Sequence, residues 1–207
     1  MLSIIKRIFG PLQSRYAGSV SYILCGIGNK GGQYHDTRHN IGFLVIDALL
    51  QKCEELDREN ACNASIIIEK LPDNGMMVVC AKPTTYVNRS GIAVRQLLQR
   101  YNKPLSSCLI IVDDFNLSLG TLRFRRRGSD GGHNGLRSVI DEIGTDFPRL
   151  RVGIGPIPKN TGVIDFVLSN FNDRELETRN NMISAAADAV VYFCENGIDA
   201  AMNHFNT

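Results

Sequence analysis

Strands and helices alternate through all 207 residues, which predicts an α/β fold: a single three-layer α/β/α domain around a mixed, mostly parallel central sheet. Two segments shape that expectation. "SCLIIVDD" (107–114) is a nearly continuous apolar run, the pattern of a strand buried on both faces. "ASIIIEK" (64–70) and "GMMVVCAKP" (75–83) flank a "PDNG" turn and predict a hairpin, which brings antiparallel pairing into the sheet.

Taken in chain order, "SVSYILCGIG" (19–28) is a buried strand ending in glycines. "NIGFLVIDALLQKCEEL" (40–56) carries apolar residues at helical spacing and predicts an amphipathic helix. The hairpin follows, then a helix over "SGIAVRQLLQRY" (90–101) and the strand 107–114. "GTLRFRRRG" (120–128) alternates at its start and predicts another strand. "GGHNGLRSVIDEIG" (131–144) reads as a loop entering a helix that Gly144 stops, and "PRLRVGIG" (148–155) as a further strand. A last helix is expected from Asn172 to Phe193, with Met182, Ile183, Ala186, Ala189, Val190 and Phe193 on its apolar face. No repeat, low-complexity tract or linker divides residues 20–207.

A domain of this size buries about 70% of the surface its unfolded chain would expose, so it needs neither disulfide nor metal to hold together. The six cysteines contain no C-x-x-C pair, no histidine stands at zinc-ligand spacing, and most lie in apolar company, which reads as reduced core thiols in a cytosol-like compartment. Residues 1–19 form an N-terminal extension that is free of acidic residues. It is compatible with an organelle transit peptide, but it is short and poor in arginine and serine, so a disordered or docking extension of a cytoplasmic protein is the preferred reading. No apolar run approaches about 18 residues, so no membrane span is expected. The net charge of +2 does not by itself declare a nucleic-acid partner, but the basic block "RFRRRG" (123–128) is concentrated.

The unusual polar residues fall just after predicted strands, in "GIGNKGG", "KPTTYVNRSG" and "VDDFN". Ligands in open α/β sheets gather beyond the carboxyl ends of the strands, so three distant segments are expected to meet in one crevice. "GIGNKG" formally satisfies the dinucleotide fingerprint, yet helical periodicity begins only near Arg38, too late to bring a helix N-terminus to a pyrophosphate. The remaining candidates are His39, Asp113 or Asp114, and the asparagines 29, 88 and 134. A histidine oriented by a buried carboxylate makes a general base at neutral pH. Ser90 is not in a nucleophile elbow, and Cys25 and Cys108 lie within predicted strands, so water is the expected nucleophile. Asparagine amides suit an oxyanion or a substrate carbonyl without adding a titrating charge. Arg123, Arg125 and Arg127 alternate beside the glycine loop "GSDGGHNG", with Arg149 and Arg151 further on. Arginines and loop amides together hold phosphate, which suggests a phosphate-bearing substrate such as a nucleic-acid end. The plain alternative is a solvated edge strand whose charges oppose aggregation.

"GIGNKGGQYHDTRHNIGF", "KPTTYVNRSG", "VDDFNLSLGTLRFRRRGSDGGHNGLRS" and "FPRLRVGIG", in this order and spacing, resemble the signature segments of the bacterial-type peptidyl-tRNA hydrolases. The resemblance runs from about Ser21 to Phe171. It implies an esterase that cuts the bond between a peptide and the 3′ end of tRNA, acting as a monomer on the acceptor stem and CCA end of peptidyl-tRNA, with no metal and no cofactor. It implies His39 as the base that activates water, Asp113 as its orienting carboxylate, and Asn29 as a holder of the water or the oxyanion. It also implies Asn88 and Asn134 as ligands of the peptide or terminal aminoacyl group, Tyr34 and Tyr86 lining the pocket, and Arg125 and Arg151 on the 5′ phosphate. For "GGHNG" it implies that Asn134 reaches the substrate while His133 supports the loop. The chain departs from the family pattern at Lys30 (usually proline), at Val87 (usually methionine), in "DDFNLS" where "DELDLP" is usual, and at Arg127 and Ser129 in a loop that is usually triple glycine. None of these removes the base, its carboxylate or the three asparagines, so activity is expected to survive. The rival readings are an RNA-binding homologue acting by partner recruitment, marked by a large exposed apolar patch, a dinucleotide binder, and a carboxylesterase using Ser90.

Overall fold

The computed structural model describes residues 14–72 and 74–206. Seven strands, β1 (Val20–Gly26), β2 (Glu54–Ala61), β3 (Ala64–Lys70), β4 (Met77–Pro83), β5 (Cys108–Ser118), β6 (Leu122–Arg125) and β7 (Arg149–Gly155), form one sheet in the order β2-β3-β4-β1-β5-β7-β6. The central four, β4, β1, β5 and β7, are mutually parallel, whereas β3 and β6 run against their neighbours. The hairpin expected around "PDNG" is the β3–β4 pair.

Among the described residues five helices cover the faces: α1 (Ile41–Leu50), α2 (Ser90–Tyr101), α3 (Asn134–Ile143), α4 (Val163–Leu168) and α5 (Leu176–Phe205). Alternation along β5 explains its unbroken apolar run. Leu109 and Ile111 enter a core with α1, α4 and α5, and Ile110 and Val112 enter a second core with α2 and α3. All six cysteines are free.

Four expectations change. Strand β5 runs on to Ser118, so "VDDFN" (112–116) lies within the strand and not in a loop after it. The first helix ends at Leu50 rather than Leu56, and Glu54–Ala61 is instead the edge strand β2. Its charged residues leave no apolar face to mark a strand, and such charges are what keep a sheet edge from pairing with another chain. Cys62 and Asn63 close the β2–β3 turn at φ 54° and 53°, a two-residue geometry usually signalled by Asn-Gly and unmarked here. The last helix starts at Leu176 and runs to Phe205, interrupted at Gly197, whose φ of 79° and ψ of 176° are not helical. Strand β6 stops at Arg125, so Arg127 lies in the loop beyond it and not on the strand's face.

Of the N-terminal extension, residues 1–13 lie outside the described residues. Ser14 N donates to the Arg100 carbonyl at 3.1 Å, and Arg15 pairs with Asp57 at 2.6 Å, so residues 14–19 dock against α2 and β2. Among the described residues no helix is long and apolar enough to cross a membrane.

Candidate active site

The carboxyl ends of β1, β4 and β5 lie together at one edge of the sheet, and the segments that follow them converge. Close backbone approach makes this possible. A Cβ on Gly42 would stand 2.5 Å from the Ile111 carbonyl oxygen, and one on Gly26 would stand 2.3 Å from the Gly42 oxygen. Glycine at both positions lets the start of α1 sit directly on β1 and β5, and the 3-10 turn Arg38–Asn40 before it is carried to Asp113 in the middle of β5.

There His39 Nδ1 lies 2.8 Å from Asp113 Oδ1. His133 Nε2 lies 2.8 Å from the same oxygen, and the two imidazole centroids are 4.8 Å apart. His133 also caps α3: its Nδ1 accepts from Leu136 N at 3.0 Å. A neutral imidazole that accepts at Nδ1 carries its proton on Nε2, so His133 donates to Asp113. His39 donates through Nδ1, which leaves its Nε2 lone pair as the basic position. Asp113 and His39 are 3% and 7% exposed. Burial pushes the Asp113 carboxyl up, but the two imidazoles outweigh it and hold the group well below the usual carboxylate range. Burial pulls the His39 imidazole down, and the Asp113 carboxylate more than reverses this, so its pKa is raised. His39, Asp113 and His133 are close enough together to ligate a cation. Two N–H donors on one carboxylate oxygen account for their spacing without one.

Asn29 is held from two sides. Its side-chain Oδ1 accepts from Val87 N at 3.1 Å, linking the loops after β1 and β4. Its backbone N–H donates to Asn40 Oδ1 at 2.8 Å, and Asn40 Nδ2 donates to the Asn29 carbonyl at 3.0 Å. This fixes the Asn29 amide so that Nδ2 remains for a ligand.

A cavity of about 210 Å³ opens over the histidines. His39, Asp113 and Asn134 line it beside Arg125 and Arg151, so five of the residues expected at the site share one space. Asn29 lines a second cavity, with Lys30 and Asn40, that shares no lining residue with the first. Tyr34, Tyr86 and Asn88 line neither. Tyr34 belongs to the turn whose carbonyl accepts from Thr37 Oγ1, and Tyr86 is 54% exposed with Lys30 Nζ 5.3 Å from its ring centre. Ser90 is fully buried, as are Cys25 and Cys108, which removes all three as nucleophiles. Helix α1 begins only after the turn Arg38–Asn40, so no helix opens within "GIGNKG".

The arginines stand on one face of the β6–β7 pair, because Arg123 is opposite Arg151 and Arg125 opposite Arg149. They are not equivalent. Arg151 is ion-paired with Asp114. Arg149 is buried and donates to the carbonyls of Gly128 at 2.8 Å and Thr145 at 2.7 Å, so it anchors the loop leading to His133 rather than facing a ligand freely. Burial lowers its pKa to about 10. Within that loop Gly128, Gly131 and Gly132 have positive φ, but Arg127 and Ser129 do not, so the backbone accepts a side chain at both departures. Val163 and Ile164, both exposed, border the same cavity and do not form a separate apolar face.

Sequence reasoning missed Asn40 and Arg38. Arg38 lies between the rings of Phe166 and Phe171, at 4.6 and 4.5 Å, and pairs with Glu175 at 2.6 Å. The Arg-His-Asn run signals a special turn, but nothing in it shows what each flanking side chain binds.

Comparison with known proteins bears on the family and the fold. A family model described as peptidyl-tRNA hydrolase matches residues 23–207. A peptidyl-tRNA hydrolase of Phocaeicola vulgatus is 42% identical over 188 residues, covering 90% of this chain and 99% of its own. One from Fervidobacterium nodosum is 40% identical over 185 residues, covering 89% and 96%. The crystal structure of peptidyl-tRNA hydrolase from Acinetobacter baumannii at 1.00 Å superposes with a TM-score of 0.81 at 32% identity, covering 91% of this chain and 95% of that one.

Proposed function

The chain belongs to the peptidyl-tRNA hydrolase family, and on that premise we propose that it hydrolyses peptidyl-tRNA to free tRNA and peptide with water activated by His39. The observation that carries the mechanism is the buried His39–Asp113 pair beside a cavity walled by arginines.

His39 Nε2 takes a proton from water as the water oxygen attacks the ester carbonyl carbon. The tetrahedral intermediate carries its charge on the former carbonyl oxygen, to which the Asn29 amide donates. Collapse breaks the bond to the ribose oxygen of the terminal nucleotide, and His39 returns the proton to that leaving oxygen, regenerating the neutral base. Asp113 stays ionised throughout, fixing the imidazole and stabilising its transient positive charge. His133 holds that carboxylate from its other side. Asn134 and Asn88 bind the peptide or terminal aminoacyl group. Arg125, together with Arg151 oriented by Asp114, takes the 5′ phosphate of the acceptor stem. The free thiols accord with a cytoplasmic setting.

The test is hydrolysis of N-acetyl-aminoacyl-tRNA beside free aminoacyl-tRNA and the His39→Ala variant. Cleavage of the blocked substrate alone, lost in the variant while tRNA binding persists, is the expected result. Binding without cleavage by the wild type would favour an RNA-binding role instead.

A further inference from the structure

Strand β6 is the outermost strand on its side of the sheet and only four residues long. Its inner edge pairs with β7, but the backbone N–H and C=O of Phe124 are taken by a side chain. Asn206 Oδ1 accepts from Phe124 N at 2.7 Å, and Asn206 Nδ2 donates to the Phe124 carbonyl at 3.0 Å. A primary amide used this way reproduces one residue of a missing neighbouring strand.

Asn206 follows the end of α5, beyond the break at Gly197. Two more contacts come from the same segment. The Phe205 ring stands 5.9 Å from the Phe124 ring, and Asp199 is ion-paired with Arg126. The segment after Gly197 thus grips both chain neighbours of Arg125 from outside, while Arg125 itself faces the cavity. Neither Asn206 nor Asp199 lines that cavity. A short edge strand held on one side alone frays, and a fraying strand cannot hold a guanidinium at a fixed distance from a phosphate.

We propose that the C-terminal segment after Gly197 is a brace for the phosphate-binding strand, with Asn206 as the positioning residue for Arg125. This rests on the reading of Arg125 and Arg151 as the 5′-phosphate site. The brace acts on affinity for the phosphorylated tRNA end and leaves the chemistry at His39 unchanged.

The experiment is steady-state hydrolysis of N-acetyl-aminoacyl-tRNA, with its 5′ phosphate present or removed by phosphatase, by the full chain and by Asn206→Ala, Asp199→Asn and Arg125→Ala. Asn206→Ala is expected to raise KM about 3- to 10-fold for the phosphorylated substrate, keep kcat within about twofold, and change KM little for the dephosphorylated one. Asp199→Asn, an exposed substitution that does not endanger folding, should move the same selectivity in the same direction by a smaller factor. If Arg125→Ala abolishes the 5′-phosphate preference while both brace variants keep it at the wild-type value, the brace is overturned and the phosphate site stands. If Arg125→Ala itself keeps the preference, the phosphate reading fails and takes the brace with it. Should Asn206→Ala not fold, unchanged selectivity in Asp199→Asn together with rapid exchange of the wild-type Phe124 amide proton would equally overturn the proposal.

Discussion

Asn40 holds Asn29 in both directions, accepting its backbone N–H at 2.8 Å and donating to its carbonyl at 3.0 Å. The residue next to the proposed base His39 therefore sets the backbone of the residue proposed to stabilise the oxyanion. Asn40→Ala leaves two buried backbone groups without partners, at a cost of about 1–3 kcal/mol each where water cannot reach them. We expect kcat to fall about 100-fold, since a displacement near 1 Å costs that much at a reacting centre. Asn40→Asp keeps the acceptor, loses the donor and should lie between. Wild-type kcat in Asn40→Ala would separate the position of Asn29 from catalysis.

The pH profile follows from the sign of the His39 shift. As the proposed base, His39 would work in its neutral form, and Asp113 raises its pKa above the ordinary 6.5 despite burial. The acid limb of kcat/KM should therefore lie above pH 6.5. In Asp113→Asn only burial remains, so the limb should move below that value while the plateau falls by about 10³ or more through loss of imidazole orientation. A limb that stays in place in Asp113→Asn would mean that another group is being titrated.

Stability follows a different window. The depressed pKa of Asp113 stabilises the fold above its ordinary 3.8 and ceases to as pH falls through the folded value. The raised pKa of His39 stabilises fully below 6.5 and ceases to as pH rises through its folded value. Their interaction thus contributes most between these limits, on the acid side of the pH range in which the base is active. The difference in unfolding midpoint between wild type and His39→Ala should be widest there and narrow on the alkaline side. A gap constant from about pH 5 to pH 9 would contradict this coupling.

His39 and Asp113 are legible in the sequence because each follows a pattern with its own signature, a polar turn opening an amphipathic helix and a carboxylate closing the apolar run of a strand, although that strand continues to Ser118. The central strands are legible for the same reason, since "SCLIIVDD" can only be buried on both faces. What escapes is held by partners distant in sequence. Asn40 binds backbone 11 residues away, Arg38 binds Glu175 137 residues on, and Asn206 completes an edge strand 82 residues back. Strand β2 escapes because a solvated edge carries charge where a pattern reader needs alternation. Arg127 reads as a strand residue until Gly128, at φ 152°, is seen beyond the point where the strand has ended.

Arg38 joins the base to the wall of its cavity. Its backbone N–H donates to the Ser169 carbonyl at 3.0 Å, and its guanidinium reaches Glu175 at 2.6 Å while lying between Phe166 and Phe171, the first of which belongs to α4. A planar cation fills this slot and an ammonium does not, because both ring faces and the carboxylate are engaged together. Arg38→Ala empties the slot and leaves Glu175 without its cation. Burial would then raise the carboxyl that Arg38 now holds low. We expect a loss of about 1–3 kcal/mol in urea unfolding, smaller than for a fully buried pair because Glu175 is partly exposed. Because the neighbouring residue is His39, kcat should fall further than KM rises. Arg38→Lys should restore the charge and little else, recovering less than half of the lost stability. Full recovery of stability and kcat in Arg38→Lys would show that charge alone matters and that the stacked geometry between the two rings does not position the base.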